Sequence, residues 1–300
     1  MQALVMLSFY SFAAATLAYV LATICYIVYA VGRVRIRRAS LAGPGATTIG
    51  ATATIEAADP GIGHYGTMLA WFGVVFQGIS VALRTAASGH IPLSNMYEFS
   101  STFVFLIGLL YLLFERYYGV RQLGAVVMPI TLGMIAYIWS LPADLREVNP
   151  LIPALQNRPM MTIHVSMAIL AYSSFAVAFG AAVLFLIASH WRVAWLPTPA
   201  LLDDLSFRAV TIGFPAMALV LIMGSVWAYQ AWGTYWSWDP KEAAALFTWL
   251  IYGVYLHTRT LRGWRGSRSA VILLIGFGAV IFTYYGNYVF GGLHAYGGVQ

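Results

Sequence analysis

Eight stretches of this 300-residue chain are so apolar that lipid is the solvent they fit: 4–31, 65–83, 96–114, 123–140, 163–188, 209–228, 242–258 and 270–288. A run of roughly 20 apolar residues crosses a bilayer as a helix, because a helix satisfies its backbone N–H and C=O groups within its own segment. Charge is scarce enough to permit this. Asp, Glu, Lys and Arg make up 9% of the chain, against roughly 25% in soluble domains. The expected fold is therefore an all-α integral membrane protein, a single polytopic domain over residues 1–300 built as a bundle of about eight transmembrane helices. The first stretch lacks a positively charged lead-in and is too long for the apolar core of a signal peptide, so it reads as a spanning helix.

The arginines fix an orientation. Arg33, Arg35, Arg37, Arg38, Arg116, Arg121, Arg192, Arg208, Arg259, Arg262, Arg265 and Arg268 fall in one set of connections, and only Arg84, Arg146, Arg158 and Lys241 in the other. Positive residues collect on the cytoplasmic side, which predicts both termini on the outer, extracytoplasmic face. The net charge of +6 is spent on this asymmetry rather than on a polyanion-binding face, so no nucleic-acid partner is expected. The Ala/Gly/Thr-rich segment 39–63 reads as a flexible cytoplasmic loop. Residues 142–159, with Pro142, Pro150, Pro153 and Pro159, read as an irregular or interfacial outer loop.

The segment WAYQAWGTYWSWDPKEAA (227–244) lies at the outer end, and 227–242 is expected as an external loop. It brings Trp227, Trp232, Trp236 and Trp238 together with Tyr229 and Tyr235. An interfacial aromatic belt accounts for one or two such residues, and poorly for six. Two histidines fall at the same level on different spans: His164 in MMTIHVSMAILAY and His294 in VFGGLHAYGG. Each alone reads as an interfacial polar residue. Converging, two neutral imidazoles can ligate one metal centre. Aromatic walls would suit a broad, flat, apolar ligand, and haem iron takes two axial ligands beyond its macrocycle. The sole cysteine, Cys25, sits within the first stretch, and the chain has no Cys-x-x-Cys-His, so any haem would be held reversibly.

Asp239-Pro240-Lys241-Glu242 is a helix-start signal, with Asp239 at the N-cap, Pro240 at the first helical position and Glu242 at the third. Lys241 reads either as a partner for a haem propionate or as a solvated cation. His257 lies sixteen residues beyond it, about 24 Å deeper at 1.5 Å per residue, and cannot share a site with the outer pair. It is either an intramembrane functional group or an inner-surface neighbour of Arg259. His90 falls in a short outer loop, and His64 and His190 at the inner boundary.

The segment WGTYWSWDPKE resembles the tryptophan-rich WWD signature of the membrane proteins that handle haem in cytochrome c maturation. GHIPLSNMYEF, MMTIHVSMAILAYSSF, WAYQAWGTYWSWDPKEAAALFTWLIYGVYLHTRT and GGLHAYG are similar, in that order, to landmarks of the CcsA (ResC) family, from about Gly89 to the C-terminus. The resemblance implies that His164 and His294 are the external axial ligands of a non-covalently held haem b, flanking a WWD loop of Trp227, Trp232, Trp236, Trp238 and Asp239. It implies that His257 is an intramembrane haem ligand whose opposite ligand comes from a CcsB (ResB)-type subunit. No second inner ligand is evident in this chain, although His64 lies on the matching side. The implied function is that of a system II cytochrome c synthase subunit, enzymatic only as the complex with CcsB. It would take haem from the cytoplasmic side to the outer face of a bacterial cytoplasmic or thylakoid-type membrane, for thioether attachment to apocytochrome c.

Two other readings compete. One is a haem transporter or chaperone without synthase activity, like the CcmC branch. Eight stretches and the GHIPLSNMYEF landmark favour CcsA over a six-helix chaperone. The other is a solute or ion transporter, which would place ionisable groups at the midplane, where this chain is mostly apolar.

Overall fold

In the computed structural model, the described residues are 1–41, 60–148, 151, 153–191, 196–259, 261, 264–290 and 292–293. Each apolar stretch has become a helix: α1 (Gln2–Leu41), α2 (Pro60–Ser88), α3 (Met96–Tyr118), α4 (Gly124–Ser140), α5 (Arg158–Trp191), α6 (Pro199–Trp232), α7 (Pro240–Thr258) and α8 (Ser267–Phe290). Short 3-10 turns at Arg121–Leu123, Ala143–Arg146 and Pro153–Leu155 fill the connections, and no strand occurs among the described residues. Among the described residues, seven of the eight helices are long and apolar enough to cross a membrane. The exception is α7, 19 residues long, whose apolar middle is diluted by Lys241 and Glu242 at one end and His257 at the other.

The helix ends follow from local chemistry. Asn95 caps α3 by accepting the Glu98 N–H at 2.9 Å, and Thr198 caps α6 ahead of Pro199. Asp239 caps α7 with Pro240 behind it and Glu242 completing the reciprocal box, as the tetrad predicts. The segment expected as a loop at 39–63 is helical at its two ends, and 42–59 lies outside the described residues. On the other side of the bundle, the expected 227–242 loop is shorter than its aromatic content suggests. No proline occurs between Pro215 and Gly233, so α6 runs on through Trp227 and Trp232 until Gly233 (φ 79°) turns the chain and donates to the Tyr229 carbonyl. Only 233–239 is non-helical.

Within the bundle α1 packs most extensively on α2 and α5 on α6, while α8 bridges α5 and α7. The core is apolar and aromatic, with Phe103, Tyr172, Phe175, Tyr252 and Tyr284 all buried. At the end where α6 gives way to α7, the tryptophan end, α3, α5, α6, α7 and α8 converge without closing completely.

Candidate functional site

His164 lies in the second turn of α5, half-buried. It can sit close against α6 because Gly224 has no side chain there: a Cβ at that position would lie 2.9 Å from His164 Cε1. Trp227, three residues on and so on the same helical face, is buried and meets the imidazole edge to face, ring centroids 5.3 Å apart. Both rings open onto a cavity of about 160 Å³.

Five helices build its walls. The segment leading into α3 supplies Leu93, Ser94 and Asn95, and α3 itself Met96 and Phe99; α5 adds Val165, Ala168 and Tyr172; α6 adds Val220, Leu221 and Ser225. Trp236 hangs from the loop above, Lys241, Glu242 and Ala245 come from α7, and Thr283 and Tyr284 from α8. The floor is an aromatic layer in which Tyr284 packs on Phe99 at 5.6 Å and Phe103 on Tyr172 at 6.2 Å. A guest with a flat apolar body and a metal short of an axial ligand would find complementary partners here.

Of the residues singled out by sequence, His164, Trp227 and Trp236 share this cavity. Trp232 is half-buried and does not line it. Trp238 is 69% exposed, adopts the left-handed conformation (φ 60°), and meets Trp236 edge to face at 5.6 Å. His257 lies near the opposite end of α7 on an exposed face. His90 stays outside the cavity, its Nδ1 2.9 Å from the Ile91 carbonyl. His294 lies outside the described residues; Gly292 and Leu293 just before it lie within them.

Asp239 holds Leu293 in place. It is buried, and its two oxygens serve different parts of the chain. Oδ1 accepts the Lys241 N–H at 2.9 Å, which caps α7, and Oδ2 accepts the Leu293 N–H at 2.6 Å. Gly292 (φ 121°) makes the turn beside it, and a Cβ at that position would strike Asp239 Oδ2. The helix cap thus also fastens the residue preceding His294.

The rim opposite is held by a buried ion pair that sequence reasoning did not find. Arg84 Nε donates to Glu98 Oε1 at 3.0 Å. Its other nitrogens donate to the carbonyls of Arg146 and of Glu147, the latter at 2.6 Å. Glu98 Oε2 accepts from the Ser94 N–H (3.0 Å) and hydroxyl (2.6 Å). One pair therefore ties α2, α3, the Leu93–Asn95 wall and the connection after α4. The GHIPLSNMYEF segment contributes through this wall, and the signal was the glutamate of MYEF rather than His90.

Residues 93–294 match the family profile described as Cytochrome C assembly protein. The cytochrome c biogenesis protein CcsA of Chlamydomonas reinhardtii is 40% identical over 227 residues, covering 72% of this chain and 63% of that protein, so the match spans less than two thirds of that relative. The CcsA of Synechococcus sp. (strain JA-3-3Ab) is 34% identical over 290 residues, covering 75% of this chain and 84% of that one. The CcsA of Guillardia theta is 36% identical over 266 residues, with 79% and 85% covered. Among solved structures, the cytochrome c heme lyase CcmF shares the fold at a TM-score of 0.56 and 17% identity, over 90% of this chain and 46% of that one.

Proposed function

The chain belongs to the cytochrome c assembly family, among the CcsA cytochrome c biogenesis proteins, and on that premise we propose that it is the haem-handling subunit of a cytochrome c synthase. Its place is in cytochrome c maturation, in a membrane it crosses several times. It takes haem b from the cytoplasmic side to the tryptophan end. There, with a CcsB-type partner, it presents the ring to the two thiols of an apocytochrome Cys-x-x-Cys-His.

The observation that carries the reading is the juxtaposition of His164, Trp227 and Trp236 around one apolar cavity. Among the described residues no group of three or more His, Cys, Asp or Glu side chains converges. That donor set suits a metal arriving with its own equatorial nitrogens, for which His164 and His294 are the two axial ligands. At about 160 Å³ the enclosed part is smaller than the roughly 300–1,000 Å³ of complete ligand pockets. A tetrapyrrole would fill it with one portion and extend to the mouth, where an apocytochrome can reach it. The chain supplies position rather than electrons. Each addition breaks one thiol S–H bond and forms one C–S and one C–H bond across a vinyl double bond, so it balances without an oxidant.

His257 belongs to a separate station. Its exposed place on α7 leaves room for a ligand from another subunit on the far side of an iron, the role assigned to the CcsB-type partner.

Purified with that partner, the protein is expected to show the absorption spectrum of low-spin, bis-histidine haem. Replacing both His164 and His294 with alanine should remove the outer haem and leave the portion held through His257. A doubly substituted protein with full haem content and full maturation activity would overturn the assignment. Gly224→Val gives a subtler check. Its side chain must displace the His164 ring, and outer haem affinity should fall on the order of tenfold, the usual scale for disturbing the support of a metal ligand. An unchanged affinity would mean that His164 is not the ligand.

A further inference from the structure

We propose that Lys241 is the anion clamp of this cavity, binding the carboxylate edge of the porphyrin and thereby setting which edge of the ring enters. The inference rests on the haem reading above and deepens it.

Lys241 is the second residue of α7, half-buried, and lines the same cavity as His164 and Trp236. A cation at this position runs against the helix dipole, whose positive end favours Asp or Glu. The two carboxylates nearby are held by backbone and hydroxyl donors rather than by the Lys241 ammonium, although the charge of Asp239 still reaches it through space. Asp239 spends its oxygens on the Lys241 and Leu293 N–H groups. Glu242 Oε2 accepts from the Ser237 N–H at 2.9 Å, the Ser237 hydroxyl at 3.2 Å and the Asp239 N–H at 3.2 Å. The ion pairs among the described residues are Arg84–Glu98, Arg121–Glu115, Arg208–Asp204 and Arg259–Asp203, and none includes Lys241. Leu221, Ala245 and Tyr284 line the same cavity.

A cation shielded from water is costly unless an anion meets it, and here the guest supplies the anion. A lysine ammonium is a point charge on a flexible stem, suited to carboxylates whose position varies by an ångström or so. The cavity therefore asks three things of its occupant: a metal for His164, a flat apolar body for Trp227 and Tyr172, and a negative edge for Lys241. Iron protoporphyrin IX has all three, with both propionates on one edge and the vinyl groups elsewhere on the ring. Holding the propionates fixes where the vinyls point.

The test compares iron protoporphyrin IX with its dimethyl ester, which keeps the ring, metal and vinyls but loses both charges. The full chain carrying His257→Ala, in lipid nanodiscs, is titrated with each and followed by Soret absorbance, so that one site reports. With Lys241 present the free acid should bind at least about tenfold more tightly than the ester, the scale of a charge-assisted hydrogen bond. Lys241→Gln should lose that preference while binding the ester as before, which also shows that it folds. Lys241→Arg should retain part of it. Equal binding of acid and ester by the Lys241 protein, or a preference that survives Lys241→Gln, overturns the clamp and leaves the haem site standing. A Lys241 protein that gives a low-spin spectrum with neither porphyrin overturns the haem reading itself.

Discussion

Asp239→Ala is expected to weaken the proposed haem binding at the tryptophan end by more than tenfold and to leave binding through His257 unchanged. The substitution removes the N-cap of α7, worth about 1 kcal/mol, and the charged acceptor for the Leu293 N–H, worth roughly 1.5–3 kcal/mol. Even at the lower end this weakens the seating of residues 292–293 by more than tenfold, and His294 follows directly. Asn at 239 can still cap α7 through its amide oxygen but no longer offers two anionic acceptors, so Asp239→Asn should fall between Ala and the native residue. The measurement is the low-spin haem absorbance of the purified complex, paired with covalent cytochrome c yield in cells. A full outer-haem signal from Asp239→Ala would show that the C-terminal segment holds its place without this carboxylate.

Glu98→Ala should produce the largest loss of stability. Arg84 and Glu98 are both buried, and removing one partner leaves the other charge uncompensated, at a cost of about 3–5 kcal/mol. The Ser94 N–H and hydroxyl lose their acceptor as well, so the Leu93–Asn95 wall should loosen and outer haem affinity decline. The control is the double replacement Arg84→Met with Glu98→Leu, which removes both charges at similar volume and should cost far less than the single change. Thermal unfolding of detergent-purified protein compares the two. A single variant as stable as the double one would mean that the pair is already screened by water.

Much of the architecture was legible because lipid imposes a simple code. Apolar runs are local along the chain, and Asp-Pro-Lys-Glu specified its own helix cap. His164, Trp227 and Trp236 could be nominated for one site because all three fall at one membrane level. What composition and spacing do not encode is lateral approach. Gly224 matters through what α5 brings against it, and the Arg84–Glu98 pair joins residues from two helices and two connections. Trp232 and Trp238 are the converse case. Sequence proximity grouped four tryptophans, but the α6 helix and the left-handed turn at Trp238 direct only Trp227 and Trp236 to the cavity lining. The tetrad specifies Asp239 as a cap, but not that its second oxygen meets a partner 54 residues away.

The Leu293–Asp239 bond gives α7 a mechanical meaning. The helix is a 19-residue strut with His257 close to one tip and, at the other, the carboxylate that moors the last span. A strut of that length, about 28 Å, transmits an axial push with little loss. On the proposed reading, a displacement of the His257 tip along the helix axis would reach the carboxylate that holds Leu293, coupling the two haem positions through the helix itself.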